Sequence, residues 1–173
     1  SIAPYLKYKD KGLFILVKTS NPSSKEFQDL FSVKLDAVPE NQIKFHVNHI
    51  ELERNYIKMA RLVNEWSKDL EIFSSYHDMG VVVGATYPTI LKEIRTIVKH
   101  SFILMPGYGT QGATASDIKL GFHEDGLGGI VNSSRGIMFA YRNSALHGAR
   151  DFEKAAREKV LKMNAEINTA IGL

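Results

Sequence analysis

At 173 residues the chain falls within the usual range of one domain and can bury a core, and its 44% hydrophobic and 24% charged residues exclude a disordered or collagen-like polymer. The net charge of +3 comes from Lys and Arg residues scattered among acids, so nucleic acid is not implied, and no apolar run approaches the roughly 20 residues that cross a bilayer. With no Cys there is neither disulfide nor thiolate metal site, which fits a reducing, cytoplasmic setting.

The chain opens on Ser1-Ile2-Ala3-Pro4, without an initiator Met and without the charged and apolar regions of a signal peptide, and is expected to be cut from something longer. "GLFILVKTS" (12–20) is a short apolar run ended by the turn-forming "NPSS", which predicts a strand buried on both faces. "FSVKLDAVPENQIKFHV" (31–47) alternates apolar and polar residues around Pro39-Glu40-Asn41 and predicts an inserted antiparallel hairpin. Leu52, Tyr56, Met59, Ala60, Val63 and Trp66 then recur at helical steps, with Trp66 expected on the core face.

Three further segments repeat the strand theme: "MGVVVGATYP" (79–88), "SFILMPG" (101–107) and "LGGIVNSS" (127–134). Between them lie helical patterns, one over Ile90, Leu91, Ile94, Ile97 and Val98 with Pro88 suited to its first turn, and a shorter one over 115–122. The tail, 149–171, predicts a long amphipathic helix with Phe152, Ala156, Val160 and Met163 on its apolar side. The order is β-α-β-α-β-α-β-α in a single domain, 1–173. Such alternation fits an open doubly wound sheet or a barrel, and periodicity alone does not choose. In both, the chemistry gathers at the carboxyl ends of the strands, so "KTSNPSS", "GATYP", "PGYGTQG" and "NSSRG" should converge on one face.

Gly107, Gly109 and Gly112 fit G-x-G-x-x-G, after a strand and before a helix, but no acid stands at the end of the next strand to hold a ribose, and Pro106 bends the chain ahead of the first Gly. A phosphate reading needs backbone N–H groups, a side-chain donor and a cation, and the glycines, Gln111 and Arg135 offer them on adjacent loops, with the Ser134 and Arg135 N–H groups at the start of a helical turn. On spacing alone the glycines could equally be turn formers and Arg135 a surface charge.

Taken together, "GLFILVKTSNPSSKEFQDL", "VVVGATYP", "ILMPGYGTQG" and "GGIVNSSRGIMFAY" resemble the bacterial branch of the orotidine 5'-monophosphate decarboxylase family. The resemblance spans nearly all of the chain except the hairpin. It implies a (β/α)8 TIM barrel, usually a homodimer, that converts orotidine monophosphate to uridine monophosphate and carbon dioxide without metal or organic cofactor. By the same resemblance Ser20 is the pyrimidine-binding serine, Pro106 packs by the base, Gln111 bridges phosphate and ring, and Arg135 is the phosphate arginine with the Ser134 backbone beside it. Ser134 departs from other branches, which carry Gly there.

The family's chemistry rests on an alternating Lys-Asp-Lys-Asp set, three members of which form D-x-K-x-x-D, and that motif is missing. "DIKLGF" (117–122) has Asp117 and Lys119 in register but Phe122 in place of the second Asp, so a solvated helix face is expected there. "KYKDKG" (7–12) fails the spacing as well. The chain thus resembles the second half of the barrel, four β/α units of a fold that normally takes about 250 residues.

Other candidates are weaker. His46 and His49, near Glu51 and Glu53, lack the helical H-E-x-x-H spacing of a metal site, and His77, His100, His123 and His147 stand alone. Ser133 has no G-x-S-x-G elbow. Tyr87, Tyr108 and Tyr141 near strand ends are expected to pack. The leading expectation is the phosphate-gripping, base-recognising half of a decarboxylase acting on a small-molecule substrate, with catalytic Lys and Asp residues upstream. The rivals are a non-catalytic half-barrel that dimerises, and a related sugar-phosphate or nicotinamide-dependent enzyme.

Overall fold

The computed structural model describes residues 2–33 and 52–173. In chain order it comprises β1 (Leu13–Lys18), β2 (Phe31–Val33), β3 (Leu52–Arg54), α1 (Asn55–Trp66), β4 (Met79–Val83), α2 (Pro88–Ile97), β5 (Ile103–Pro106), α3 (Ala115–Ile118), β6 (Gly129–Asn132), α4 (Ser134–Met138) and α5 (Phe152–Ile171). β1, β4, β5 and β6 fall inside the four segments in which strands are expected.

These strands form one sheet in the order β1-β4-β5-β6, every neighbour parallel. The register runs Ile15 to Val81, Val81 to Ile103 and Ile103 to Gly129. A doubly wound sheet reverses its strand order at a switch point, and this order has no reversal among the described strands. Consecutive strands of a barrel run in this order, as do the strands on one side of a doubly wound sheet's switch point.

Alternation along the strands divides the sheet's two faces. Val17, Val81, Val83, Ile103 and Met105 join Tyr56, Ile57, Ala60 and Val63 of α1, Leu91 and Ile94 of α2, and Met163 and Ile167 of α5 in one buried cluster. On the other face Phe14, Leu16 and Ile130 are 44%, 61% and 41% exposed. Phe14 lies over Gly80, where a Cβ would fall within 2.4 Å of its ring.

Local chemistry sets the helix ends. Pro88 occupies the first turn of α2, where its missing N–H costs nothing. Thr114 and Asp117 form a reciprocal capping box at α3. Gly172, at φ +87, ends α5 in the left-handed conformation.

Two expectations are corrected, and a third, the hairpin, falls mostly on residues that are not described. Leu52 does not start the helix: the backbone is extended through Arg54, whose ψ is 146°, and Leu52 pairs with Val33. The hairpin expected over 31–47 lies, apart from 31–33, outside the described residues, and Phe31–Val33 pairs antiparallel with Leu52–Arg54, beyond that hairpin's expected end. On α5 the buried stripe is Ala155, Met163 and Ile167, while Phe152 is 58% exposed.

Arg95 joins the amino-terminal side of the sheet through backbone carbonyls, with no carboxylate partner among the described residues. Buried on α2, it donates to the carbonyls of Gly121 (2.9 Å), Val98 (3.0 Å), Ser101 (2.8 Å) and Gly128 (2.7 Å). Burial lowers its pKa to about 10, which still leaves it charged at neutral pH. Arg95→Met would remove these four hydrogen bonds, leaving Gly128 O and Val98 O only their backbone donors, and we expect a loss of about 3 kcal/mol in urea unfolding. A change within about 0.5 kcal/mol, the range of ordinary surface substitutions, would contradict this role.

Burial also holds the His77 imidazole below its ordinary 6.5, and burial with the nearby Arg95 charge does the same to His123. Below pH 6.5 the unfolded chain takes up protons that the folded chain refuses, so stability should fall on acidification. The melting temperature is expected to drop between about pH 7.5 and pH 5.5, and to drop less in His77→Gln.

Candidate functional site

Backbone hydrogen bonds carry the parallel register past the strand ends and draw three loops together. Gly84 N donates to Lys18 O at 2.7 Å, and Ala85 N donates to Pro106 O at 2.8 Å. Thr19 N donates to the Gln28 side chain at 2.9 Å, which sets the loop carrying Ser20. A Cβ on Gly84 would sit 3.5 Å from the Ser20 Cβ, so the loop after β4 lies directly against Ser20.

The glycine loop follows Pro106, the last residue of β5. Gly107, Gly109 and Gly112 have φ of +108°, +73° and +94°, conformations that side-chain-bearing residues rarely adopt. Gly109 N donates to Ala113 O, and Gly112 N to Gly109 O, both at 2.9 Å. The fold of the loop brings the Gln111 side chain back over Gly107, where a Cβ would meet Gln111 Oε1 at 3.1 Å. Ser20 Oγ donates to the same Oε1 at 2.8 Å. Gln111 Nε2, with two N–H donors, has no partner among the described residues.

β6 delivers the fourth loop. Buried Ser133 donates from Oγ to Tyr108 O at 2.8 Å, tying the start of α4 to the glycine loop. Within α4, a Cβ on Gly136 would lie 3.6 Å from Thr110 Cγ2. Ser134 N and Oγ both donate to Asn132 Oδ1, at 3.2 and 2.9 Å, so that N–H group is already engaged. The Arg135 guanidinium is exposed and has no partner among the described residues.

The four loops expected to converge therefore do so. Of the candidate residues, Ser20 and Gln111 touch, Pro106 adjoins the loop that carries Gln111, and Ser134 and Arg135 stand on the adjacent strand tip. Asp117 is occupied elsewhere: its Oδ2 accepts from Thr114 N and Thr114 Oγ1, both at 2.7 Å, and these bonds hold its carboxyl below the usual range. Lys119 is exposed. Ser133 Oγ donates to a carbonyl and meets no base among the described residues. His46, His49 and Glu51 lie outside the described residues, and Glu53 pairs with Arg61 at 2.7 Å. Among the described residues no three His, Asp or Glu side chains gather as a metal site.

Two contacts near the site escape sequence reasoning. Lys18 is fully buried, its Nζ 2.7 Å from Asp29 Oδ1 and 4.9 Å from the Tyr87 ring centre. A lysine closing an apolar run was the signal for it, though nothing in the spacing pointed to Asp29. Tyr108 is also buried, and its hydroxyl donates to Glu166 of α5 at 2.8 Å.

Sequentially ordered parallel β/α units, with their glycine loop and a free arginine at the carboxyl edge, define an α/β protein of the barrel-like kind. The chain is similar to proteins named orotidine 5'-phosphate decarboxylase. It is 42% identical over 161 residues to the enzyme of that name from Caldicellulosiruptor bescii, covering 93% of this chain and 46% of the relative. With the Petrotoga mobilis orotidine 5'-phosphate decarboxylase it shares 36% over 176 residues, covering 100% of this chain and 55% of that one. The solved structure of Leishmania donovani OMP decarboxylase superimposes with a TM-score of 0.63 at 27% identity, over 96% of this chain and 52% of the other. No family model matches the chain. The chain spans about half the length of the curated relatives it matches.

The loop geometry makes two glycines distinguishable. Gly112→Ala carries only the strain of a positive φ, about 1 to 2 kcal/mol, because no atom lies within 4 Å of its added Cβ. Gly107→Ala carries similar strain and also presses on Gln111. We expect Gly107→Ala to be the more destabilising in urea unfolding, with the excess removed in a Gln111→Ala background. An excess that persists there would mean that Gln111 is not what Gly107 accommodates.

Proposed function

We propose that the chain forms the phosphate- and base-binding part of an orotidine 5'-monophosphate decarboxylase. The observation that carries the reading is the Ser20 Oγ to Gln111 Oε1 hydrogen bond of 2.8 Å, which joins the tips of β1 and β5 across β4. It leaves Gln111 Nε2 directed by its own amide plane and free to donate to an anionic oxygen. Arg135 is a second free donor on the next strand tip, and a guanidinium suits a phosphate through its planar fork of N–H groups.

In this reading Ser20 and Pro106 meet the pyrimidine, Gln111 spans ring and phosphate, and Arg135 with the α4 backbone holds the phosphate. Because Ser134 N is bonded to Asn132, the Arg135 N–H and side chain take the larger share unless that bond opens. Decarboxylation breaks the bond from the ring to the carboxylate carbon and leaves the electron pair on the ring. A Lys then protonates that ring carbon as carbon dioxide departs. The D-x-K-x-x-D residues for these steps come from the polypeptide corresponding to the rest of the relatives' length. Phosphate contacts far from the reacting carbon contribute by holding the substrate against that charged set.

The half-barrel reading is supported by the open sheet face. Phe14, Leu16 and Ile130 are large apolar side chains of a parallel sheet, a kind of sheet whose faces are both normally covered. Four further β/α units would cover them and continue the sheet from both edges. A homodimer in a cytoplasmic setting goes with this reading, and no helix of the described residues is long and apolar enough to cross a membrane.

The test is calorimetric titration with uridine monophosphate, uridine, ribulose phosphate and NAD, first on the chain and then on its mixture with the rest of the C. bescii relative. Uridine monophosphate should bind best, and decarboxylation should appear only in the mixture. Arg135→Ala should cost about 1.5 to 3 kcal/mol of uridine monophosphate binding and leave uridine binding unchanged. Equal losses for both ligands would remove Arg135 from the phosphate.

A further inference from the structure

We propose that Glu166, on α5, is a positioning residue for the glycine loop and acts on it through Tyr108. Tyr108 is where the loop is gripped. Its ring is buried and its hydroxyl reaches Glu166 Oε2 at 2.8 Å. Its carbonyl accepts from Ser133 Oγ at 2.8 Å and from Thr110 N at 3.0 Å, and the residue pairs with Ala113 across the loop. One residue thus links the loop to α5 by its side chain and to the β6 tip by its backbone.

The geometry makes this link directional. The loop's own bonds, Gly109 N to Ala113 O and Gly112 N to Gly109 O, close a small ring of backbone around Gln111. They fix its shape but not its tilt against the sheet. Tilt is set where the ring is anchored, at Tyr108, and a glycine on either side of Tyr108 leaves the backbone free to pivot there. The charge-assisted bond to Glu166 holds one side of the pivot and Ser133 holds the other. Burial and the Glu166 carboxylate together push the Tyr108 hydroxyl up to about 12, so it stays a donor throughout the physiological range. A shift of α5 is therefore passed to Gln111, and from Gln111 to Ser20.

The role in ligand binding rests on the function proposed above, whereas the mechanical coupling does not, and the experiment separates them. Amide hydrogen exchange is followed at Gly109 and Gly112, with Val81 of β4 as reference, in the wild-type chain, Glu166→Ala, Tyr108→Phe and Glu166→Gln. We expect exchange at both glycines to rise about tenfold in Glu166→Ala and Tyr108→Phe, the equivalent of one lost charge-assisted bond, while Val81 is unchanged. Glu166→Gln keeps an acceptor at the same reach and should restore most of the protection. Unchanged loop exchange, or an equal rise at Val81, overturns the proposal, as does failure of Gln to rescue. In the binding arm, Tyr108→Phe should weaken uridine monophosphate about tenfold and uridine by a smaller factor, because Gln111 meets both phosphate and ring. Binding of neither ligand by the wild-type chain would sink the functional reading and leave the exchange result to decide the coupling.

Discussion

The site depends on a constraint of backbone geometry: the chain leaving β5 must turn back on itself within a few residues, and it does so through three positive-φ glycines. Only that path places Gln111 above Gly107 and within reach of Ser20, which stands on a strand that is not β5's neighbour. The intervening strand, β4, contributes Gly84 at its tip. A side chain there would press on the Tyr87 ring at 3.3 Å and on the Ser20 backbone at 3.4 Å. The Ser20–Gln111 bond therefore needs glycines at two strand ends, one to bend the chain and one to make room.

The elements legible in the sequence are those with enough length to carry a pattern. β4 reads as "MGVVV" and is buried at every residue: Met79, Val81 and Val83 lie in the helix-covered cluster, and Gly80, on the other face, lies beneath the Phe14 ring of the neighbouring strand. The partnership of Ser20 and Gln111, 91 residues apart, has no signature in periodicity and was available only through the resemblance of whole motifs. The pairing of β2 with β3 was not legible for a different reason: three residues on each strand give alternation too little length to fix a register. Phe152 failed because a helix that begins outside the core can start with an exposed aromatic, and only the next turn, at Ala155, meets the cluster.

Polar contacts were hardest to foresee when they crossed elements. Lys18 with Asp29, Tyr108 with Glu166, and Arg95 with four carbonyls are each fixed by the fold rather than by a local spacing. Each also buries a group that would be costly to leave unpaired. Asp117 shows the reverse case. Its place in "DIKLGF" imitates a catalytic spacing, yet its carboxylate is used by the backbone three residues earlier, which is what an acid at the third position of a helix does most readily.

The two faces and the edge of the sheet carry different tasks. The helix-covered face supplies stability through a contiguous apolar cluster, and the carboxyl edge supplies donors that are bonded to one another or free. The remaining face supplies neither, since Phe14, Leu16 and Ile130 are apolar and exposed. Under the proposed function this asymmetry has a physical sense. Recognition of a distant phosphate needs only a few strand tips held in register, which one parallel sheet provides. The decarboxylation step needs charges gathered in a space that excludes water, which requires the open face to be closed. Loss of Arg135 would then weaken binding while leaving the closed face intact, and loss of Leu16 packing would do the opposite.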